Sequence, residues 1–200
     1  ANNQAILLGN FAGTALDDII NGNGHYIWQE TFKKNFKDKA LEYCTCDDLN
    51  RKEDFRTAAL RQTQNIHQIV AELFGDFHGD LMQPQTDVTF NREKAILEPS
   101  FVCEQLGLQG RADLMTTDFK LLVEQKSGNN YNIQTHQPNE YGSFQKEEHY
   151  VQLVLYYRVL RQNFHVPSNK IDMRLLYSKY PLPGGLVVVN FYQKLFREAI

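Results

Sequence analysis

The chain has no long apolar run and few cysteines. No segment approaches the roughly 18 consecutive apolar residues of a membrane-spanning helix, so we expect no membrane partner. The N-terminus has no basic segment followed by an apolar one, so no secretory signal peptide is visible. Three cysteines, an odd number, do not make a disulfide framework. An intracellular, cytoplasmic setting is therefore expected.

The chain also lacks an excess of positive charge. Its formal net charge of −3 gives no basic footprint of the kind that nucleic-acid-binding proteins carry. A site rich in acidic side chains would contribute to that negative sum, so nucleic acid is not excluded. The 200 residues, of which 42% are hydrophobic, are typical of one soluble globular domain, 1–200. The first residue is Ala1 rather than methionine, which favours a processed or excised piece of a longer protein.

Hydrophobic periodicity predicts an α/β fold in the order helix, three strands, helix and strand, preceded by extra N-terminal helices. Gly75 is the predicted stop of the long first core helix, and Pro183-Gly184 predicts a type II turn near the end. The predicted helices cover 14–22, 29–42, 52–74 and 144–164, and the predicted strands cover 94–104, 107–115, 119–126, 171–178 and 186–192. Polar loops are predicted at 79–85 and 127–143.

The most informative segment, 121–126, begins as an apolar, β-prone run and ends in charge. Because side chains alternate along a strand, Glu124 and Lys126 should face one way and Gln125 the other. Core packing alone does not require charged side chains at this spacing.

A predicted hairpin brings Asp113 to the same place. Thr116-Thr117-Asp118 has the chemistry of a tight connection between the two strands. Two like charges share a site cheaply only when a cation lies between them, so the arrangement predicts a divalent metal site. The alternative is a surface ion-pair cluster on an exposed sheet face.

Gly110, three residues before Asp113, is typical of a bulge or of a close approach in a strand.

Polar side chains on the two long predicted helices are further candidates. His149, Gln152 and Tyr156 stand at i, i+3 and i+7, which places them on one face of an otherwise apolar helix. They form either a self-satisfied buried network or a site that holds a phosphate or orients the lysine. His67 is either a core histidine or a nitrogen ligand, which would favour Mn²⁺ over Mg²⁺.

Four segments between Arg61 and Tyr177 resemble, in order, the motifs of the PD-(D/E)XK nuclease superfamily, in its branch of RecB, Cas4 and Dna2-like proteins. They are QNIHQ at 64–68, similar to the helix with a metal-binding histidine; LGLQGRAD at 106–113, similar to the lGlxGxxD strand; EQKSG at 124–128, similar to the ExK motif; and HYVQLVLY at 149–156, similar to the QxxxY helix. Ala112 departs from the proline in the superfamily's name. Cys44 or Cys46 matches an upstream cluster cysteine, but none follows Cys103. An iron–sulfur cluster is therefore expected to be absent from this chain; the alternative is that its later ligands lie beyond residue 200.

The resemblance implies a restriction-endonuclease-like core, αβββαβ, with a mixed central sheet flanked by helices. It implies a metal-dependent DNA nuclease, of exonuclease or flap type, that acts on single-stranded ends in repair or recombination. A helicase domain or subunit is the implied partner. The alternatives are a catalytically silent DNA-binding module of a repair complex and a metal-binding structural domain.

The resemblance also implies roles for individual residues. His67, Asp113, Glu124 and the Gln125 carbonyl would hold one or two Mg²⁺ or Mn²⁺ ions. Lys126 would orient the attacking water or stabilise the transition state, and Gln152 and Tyr156 would position Lys126 or the DNA backbone. The candidate DNA contacts are Arg61, Arg111, Tyr131, Tyr141, Lys146 and His149; their alternative reading is a solvated surface or a polar loop.

Overall fold

The structure is a computed structural model that describes residues 4–22, 27–46, 52–75, 90–104, 107–129, 147–166 and 171–189. Within these ranges the helices are α1 Gln4–Asn21, α2 Trp28–Asp38, α3 Ala40–Cys44, α4 Lys52–Phe74 and α5 Glu147–Phe164. The strands are β1 Ala95–Leu97, β2 Ser100–Cys103, β3 Leu108–Arg111, β4 Leu114–Thr116, β5 Leu121–Lys126, β6 Asp172–Tyr177 and β7 Leu186–Val188. The predicted loop 79–85 lies outside the described residues, as do Tyr131, Tyr141 and Lys146.

The main sheet is mixed, as predicted, and has the strand order β1-β4-β5-β6-β7. Strand β4 runs antiparallel to both β1 and β5, and the predicted hairpin pairs Leu114 with Val123 and Met115 with Leu122. Helix α5 then carries the chain across to β6, which runs parallel to β5. Strand β7 closes the sheet antiparallel to β6. The chain is therefore an α/β protein.

Two predicted strands, 94–104 and 107–115, are each interrupted, so the prediction of continuous strands there was wrong. The first breaks at Glu98-Pro99 and the second at Ala112-Asp113. The two breaks face each other, because the Glu98 amide donates to the Asp113 carbonyl at 3.0 Å and the Ala112 amide donates to the Pro99 carbonyl at 3.2 Å. Beyond the breaks the chain forms a separate two-stranded sheet of β2 and β3.

The two faces of the main sheet are covered by different helices. Leu121 and Val123 pack with α1 and α4, whereas Leu122, on the opposite face, packs with α5. A strand that is covered by helices on both faces is apolar at every position. The sequence of β5 therefore shows alternation between the faces only from Glu124 onward, where its polar residues begin. No helix of the described part of the chain is both long enough and apolar enough to cross a membrane.

The helices agree with the predictions in the centre of the chain and differ at the N-terminus. Helix α4 has the predicted bounds, and Gly75 ends it with a φ of 69°. Helix α1 begins at Gln4 rather than near residue 14, and its first turns bury Leu7 and Phe11. The predicted helix 29–42 is divided at Lys39 into α2 and α3.

The connection between β6 and β7 closes differently from the predicted type II turn. The Gly185 amide donates to the Pro181 carbonyl at 2.9 Å, and Gly184 does not have the positive φ that a type II turn requires there. This turn has no room for a side chain at position 185. A Cβ atom at Gly185 would lie 2.2 Å from the Tyr180 carbonyl oxygen and 2.9 Å from the Ile69 side chain.

We predict that Gly185→Ala destabilises the protein by about 1–3 kcal/mol, since the obstructing atom is backbone and cannot rotate away. Urea unfolding measures the change. Gly13→Ala in α1 is the matched control, because a Cβ atom there meets nothing within 4 Å and alanine favours a helix. Equal stability of the two variants would contradict the packing of this turn.

Candidate functional site

Asp113 lies at the break between β3 and β4, where its side chain replaces a strand partner. Strand β4 pairs with β5 only as far as Leu114 and Val123. Beyond that point the Gln125 amide donates to Asp113 Oδ2 at 2.6 Å. The short distance is typical of a bond to an ionised carboxylate. Asp113 is thereby fixed against the backbone of the residue between Glu124 and Lys126.

The alternation predicted for β5 is confirmed. The Gln125 side chain donates from Nε2 to the Ala12 carbonyl of α1 at 3.2 Å, on one face of the sheet. On the other face, Lys126 Nζ donates to Gln152 Oε1 of α5 at 2.9 Å. Glu124 Oε1 accepts a hydrogen bond from Gln152 Nε2 at 3.0 Å. The sheet thus separates Gln125 from the two charged residues beside it.

Gln152 links the charged pair to the helix. Its amide is oriented by chemistry, because the ammonium of Lys126 can only donate and an ionised Glu124 can only accept. Gln152 Nε2 also donates to the Tyr156 hydroxyl at 2.8 Å, and that hydroxyl donates to the Arg111 carbonyl at 2.9 Å. The predicted shared helix face of Gln152 and Tyr156 is therefore confirmed.

Gly110 is a site of close approach, one of the two readings predicted for it. A Cβ atom there would lie 2.4 Å from Cε1 of Tyr156, whose ring is held by its hydroxyl bonds. The missing side chain lets α5 come close enough to β3 for the Tyr156 hydroxyl to reach the Arg111 carbonyl. Gly110 and Arg111 thus connect the small sheet to the polar network.

Glu124 is a buried carboxylate whose charge is only partly compensated. The residue is 5% exposed, and its Oε2 atom has no hydrogen-bond partner within the described residues. Burial and, second to it, the charge of Asp113 raise the pKa of Glu124 to about 7. Burial likewise raises the pKa of Asp113, against the lowering effect of the bond from the Gln125 amide. The raised pKa values of Glu124 and Asp113 indicate that nearby positive charge does not fully compensate the two carboxylates.

Lys126 does not supply that charge in full. Its Nζ lies 3.5 Å from Glu124 Oε1, at the long limit of a hydrogen bond, and 2.9 Å from the neutral amide oxygen of Gln152. A quarter of its side chain, 25%, is exposed. The ammonium is therefore held in place by an uncharged group beside the two carboxylates.

Two acids near the strand break were missed by sequence reasoning. Asp17 of α1 has a pKa raised to about 6 by burial and then by the charges of Glu98 and Asp113. Glu98 forms an ion pair with Arg111 at 3.6 Å. In the sequence, Asp17 could have been found from its place next to the buried Leu16 on the amphipathic helix α1. That inference needs the knowledge that α1 packs on the main sheet.

His67 is half-buried on α4. The helix face that reaches the ends of β5 and β6 carries Gln62 and Asn65, which donate to the carbonyls of Ser127 and Ser178. At about 100° per residue, His67 lies roughly 200° around the helix axis from Asn65. Within the described ranges, no three histidine, cysteine, aspartate or glutamate side chains form a group that could hold a metal ion. The metal-ligand role of His67 stays a prediction.

The candidate DNA contacts fall in different places. Arg111 is exposed beside the strand break, and Arg61 is exposed on α4. His149 is half-buried, and its Nδ1 lies 2.8 Å from the Tyr177 hydroxyl, so its described contact is internal.

Of the two cysteines that match the upstream cluster position, Cys46 is buried and Cys44 is exposed.

A scan against protein-family models gives no match to this chain, and a search of curated proteins gives none.

We predict that Glu124→Gln stabilises the metal-free protein at pH 8 by an amount on the order of 1–3 kcal/mol. A carboxyl group whose pKa is raised from 4.5 to about 7 on folding loses its stabilising contribution as pH rises through that window. The difference should therefore shrink toward pH 5, where Glu124 is protonated. Urea unfolding in EDTA at both pH values measures it.

The matched control for this prediction is Glu93→Gln, which changes an exposed glutamate outside the network. Its effect on stability should be small and the same at both pH values. A Glu124→Gln protein that is less stable than the wild type at pH 8 would show that Lys126 and Gln152 compensate the charge of Glu124.

Proposed function

We propose that the chain is a divalent-metal-dependent deoxyribonuclease with a restriction-endonuclease-like core. Helix α4, the antiparallel strands β1, β4 and β5, helix α5 and the parallel strand β6 follow the order αβββαβ of that core. The extra helices α1 to α3 precede it. We further propose exonuclease or flap-type action on single-stranded ends, with a helicase domain or subunit as partner.

The observation that carries the proposal is the joining of the motif residues in one network. Asp113 is bonded to the amide between Glu124 and Lys126, and Gln152 bridges both charged side chains and Tyr156. These residues come from a strand break, a strand and a helix. An ion-pair cluster on an exposed surface would need neither a buried glutamate nor a side-chain amide such as that of Gln152, which accepts from Lys126 and donates to Glu124 and Tyr156.

The two carboxylates fit a hard divalent cation. Glu124 Oε2 is buried without a partner in the described part of the chain, and the pKa values of Glu124 and Asp113 are both raised by burial. Oxygen donors with uncompensated negative charge suit Mg²⁺ or Mn²⁺. Asp113, Glu124 and the Gln125 carbonyl would hold the ion, and a bound ion would lower the pKa of a water and neutralise charge on phosphoryl oxygens.

The other residues act on the substrate and on one another. The Lys126 ammonium, a compact cation with three donors, would contact a non-bridging phosphoryl oxygen or orient the attacking water. Gln152 would hold Nζ in that position, because its oxygen accepts from Lys126 while its nitrogen is tied to Glu124 and Tyr156. Arg111, exposed beside Asp113, would attract the DNA backbone.

We predict that Asp113→Ala and Lys126→Ala each lower metal-dependent DNA cleavage at least about a hundredfold, since the first removes a proposed ligand of the metal ion and the second removes a cation placed at the developing transition state. The assay uses labelled single- and double-stranded DNA with and without Mn²⁺. Asp118→Ala and Lys120→Ala, an acid and a lysine of the same hairpin outside the network, are the matched controls and should cleave as the wild type does.

Unchanged cleavage by both site variants, with contaminating nucleases excluded, would refute the assignment. Retention of DNA without cleavage in Mn²⁺ would instead support the catalytically silent DNA-binding module.

We predict that Glu124→Gln weakens Mn²⁺ binding at least about tenfold at pH 8, because it removes the charge of a buried oxygen ligand. Isothermal titration calorimetry measures the affinity. Because Glu124 has a pKa of about 7, wild-type affinity should rise between pH 6 and pH 8, and that rise should be smaller in the variant. Equal affinities at pH 8 would remove Glu124 from the ligand set.

A further inference from the structure

A pocket of about 470 Å³ lies at the ends of the two parallel strands, next to the candidate site. Ser127, which follows the last residue of β5, and Lys179, two residues beyond β6, both line it. Helices α1 and α4 form its other walls. Ligand sites in open α/β sheets commonly lie outside the carboxyl ends of parallel strands.

The floor of the pocket is held by hydrogen bonds. Gln62 Nε2 donates to the Ser127 carbonyl at 3.1 Å, and its Oε1 accepts from the Ser178 hydroxyl at 2.6 Å. The Ser178 amide in turn donates to the Lys126 carbonyl at 3.0 Å. Gln62 is 3% exposed, so this floor is fixed before any ligand arrives. Through the Ser178 amide, this hydrogen-bonded group also contacts the backbone of Lys126.

The pocket lining carries positive charge. Arg61 and Lys179 both line it and both are exposed, and no acidic side chain occurs among its described lining residues. Lys179 donates to the amide oxygen of Asn129, a neutral group, so this bond leaves the charge of the ammonium in place. A guanidinium and an ammonium lining one pocket suit a phosphate group.

Part of the pocket lining is apolar. Ala5 and Leu8 of α1 and Ala58 of α4 contribute to it. Gly9 lets α1 approach the loop, because a Cβ atom there would lie 3.2 Å from the Ser127 hydroxyl oxygen. Apolar and cationic side chains lining one pocket suit a molecule with an apolar end and an anionic end.

We infer that this pocket binds one nucleotide of the DNA strand beside the cleaved bond, with its base against Ala5, Leu8 and Ala58 and its phosphate between Arg61 and Lys179. The role in cleavage rests on the proposed nuclease function. Three extended residues span at most about 11 Å, so the Cα atoms of Ser127 to Asn129 stay within that distance of the Lys126 Cα atom. The Lys126 side chain points to the α5 side of the sheet, so the bound DNA strand would cross the ends of β5 and β6 to reach both the pocket and Lys126.

Calorimetry of the wild-type protein in EDTA tests the pocket apart from the metal site. The probes are thymidine 5′-monophosphate, thymidine and inorganic phosphate. We expect the monophosphate to bind more tightly than either part, and Arg61→Gln and Lys179→Gln each to weaken it about tenfold. Ala58→Leu, which enlarges an apolar lining side chain, should also weaken it. Arg161→Gln and Lys120→Gln, exposed residues outside the pocket, are the matched controls.

Failure of the monophosphate to bind would overturn the inference, and so would equal binding by Arg61→Gln, Lys179→Gln and the wild type. Equal affinity for inorganic phosphate and the monophosphate would also overturn it, since the apolar wall would then contribute nothing. Thermal melts confirm that each variant is folded.

Cleavage of a single-stranded oligonucleotide gives the second readout. Arg61→Gln and Lys179→Gln should raise KM with little change in kcat, because they remove binding that is equal in ground and transition states. For single-stranded DNA, each variant should also reduce the slope of log affinity against log salt concentration by about 0.7. If Asp113→Ala and Lys126→Ala both leave cleavage unchanged while Arg61→Gln weakens monophosphate binding, the nuclease proposal fails and the pocket stands.

Discussion

The bond from the Gln125 amide to the Asp113 carboxylate determines how the candidate site is assembled. It forms because β4 ends at Leu114 while β5 continues, which leaves the Gln125 amide facing a gap in the ladder. A buried amide without a partner is costly, so a side-chain acceptor at the gap both satisfies the backbone and is itself immobilised. The break in the strand is thus what carries a carboxylate to the position between Glu124 and Lys126 along β5.

A second constraint is the shortage of positive charge around these carboxylates. Glu124 is almost fully buried, Asp113 lies beside it, and Asp17 and Glu98 add further negative charge near the break. Lys126 is the one partly buried cation of the network, and Gln152 holds it closer to an amide than to a carboxylate. Such an arrangement is unfavourable as a purely structural element, because a buried charge normally requires a close partner. It is favourable where a cation and a phosphate are to be bound.

The sheet also divides the region into two sides. On the α5 side, Gln152 and Tyr156 hold the charged residues, and Gly110 permits the approach. On the α1 and α4 side, the same strand ends lead into the pocket of Arg61 and Lys179. The two sides are joined through the backbone of Lys126, Ser127 and Ser178. The proposed chemistry and the proposed nucleotide subsite therefore meet at the ends of β5 and β6, where hydrogen bonds join the two strands.

The sequence by itself determined the local features of this protein. Helix α4 and its stop at Gly75, the hairpin of β4 and β5, the opposite orientation of Gln125 and its neighbours, and the shared face of Gln152 and Tyr156 all follow from short-range periodicity and turn chemistry. The tertiary structure alone decided the strand breaks at Glu98 and Ala112, the packing of α1 on the sheet, the nearness of Asp17 to Asp113, and the pocket between α1 and α4. These features depend on contacts between segments that are distant along the chain, and periodicity within one segment carries no information about its partner.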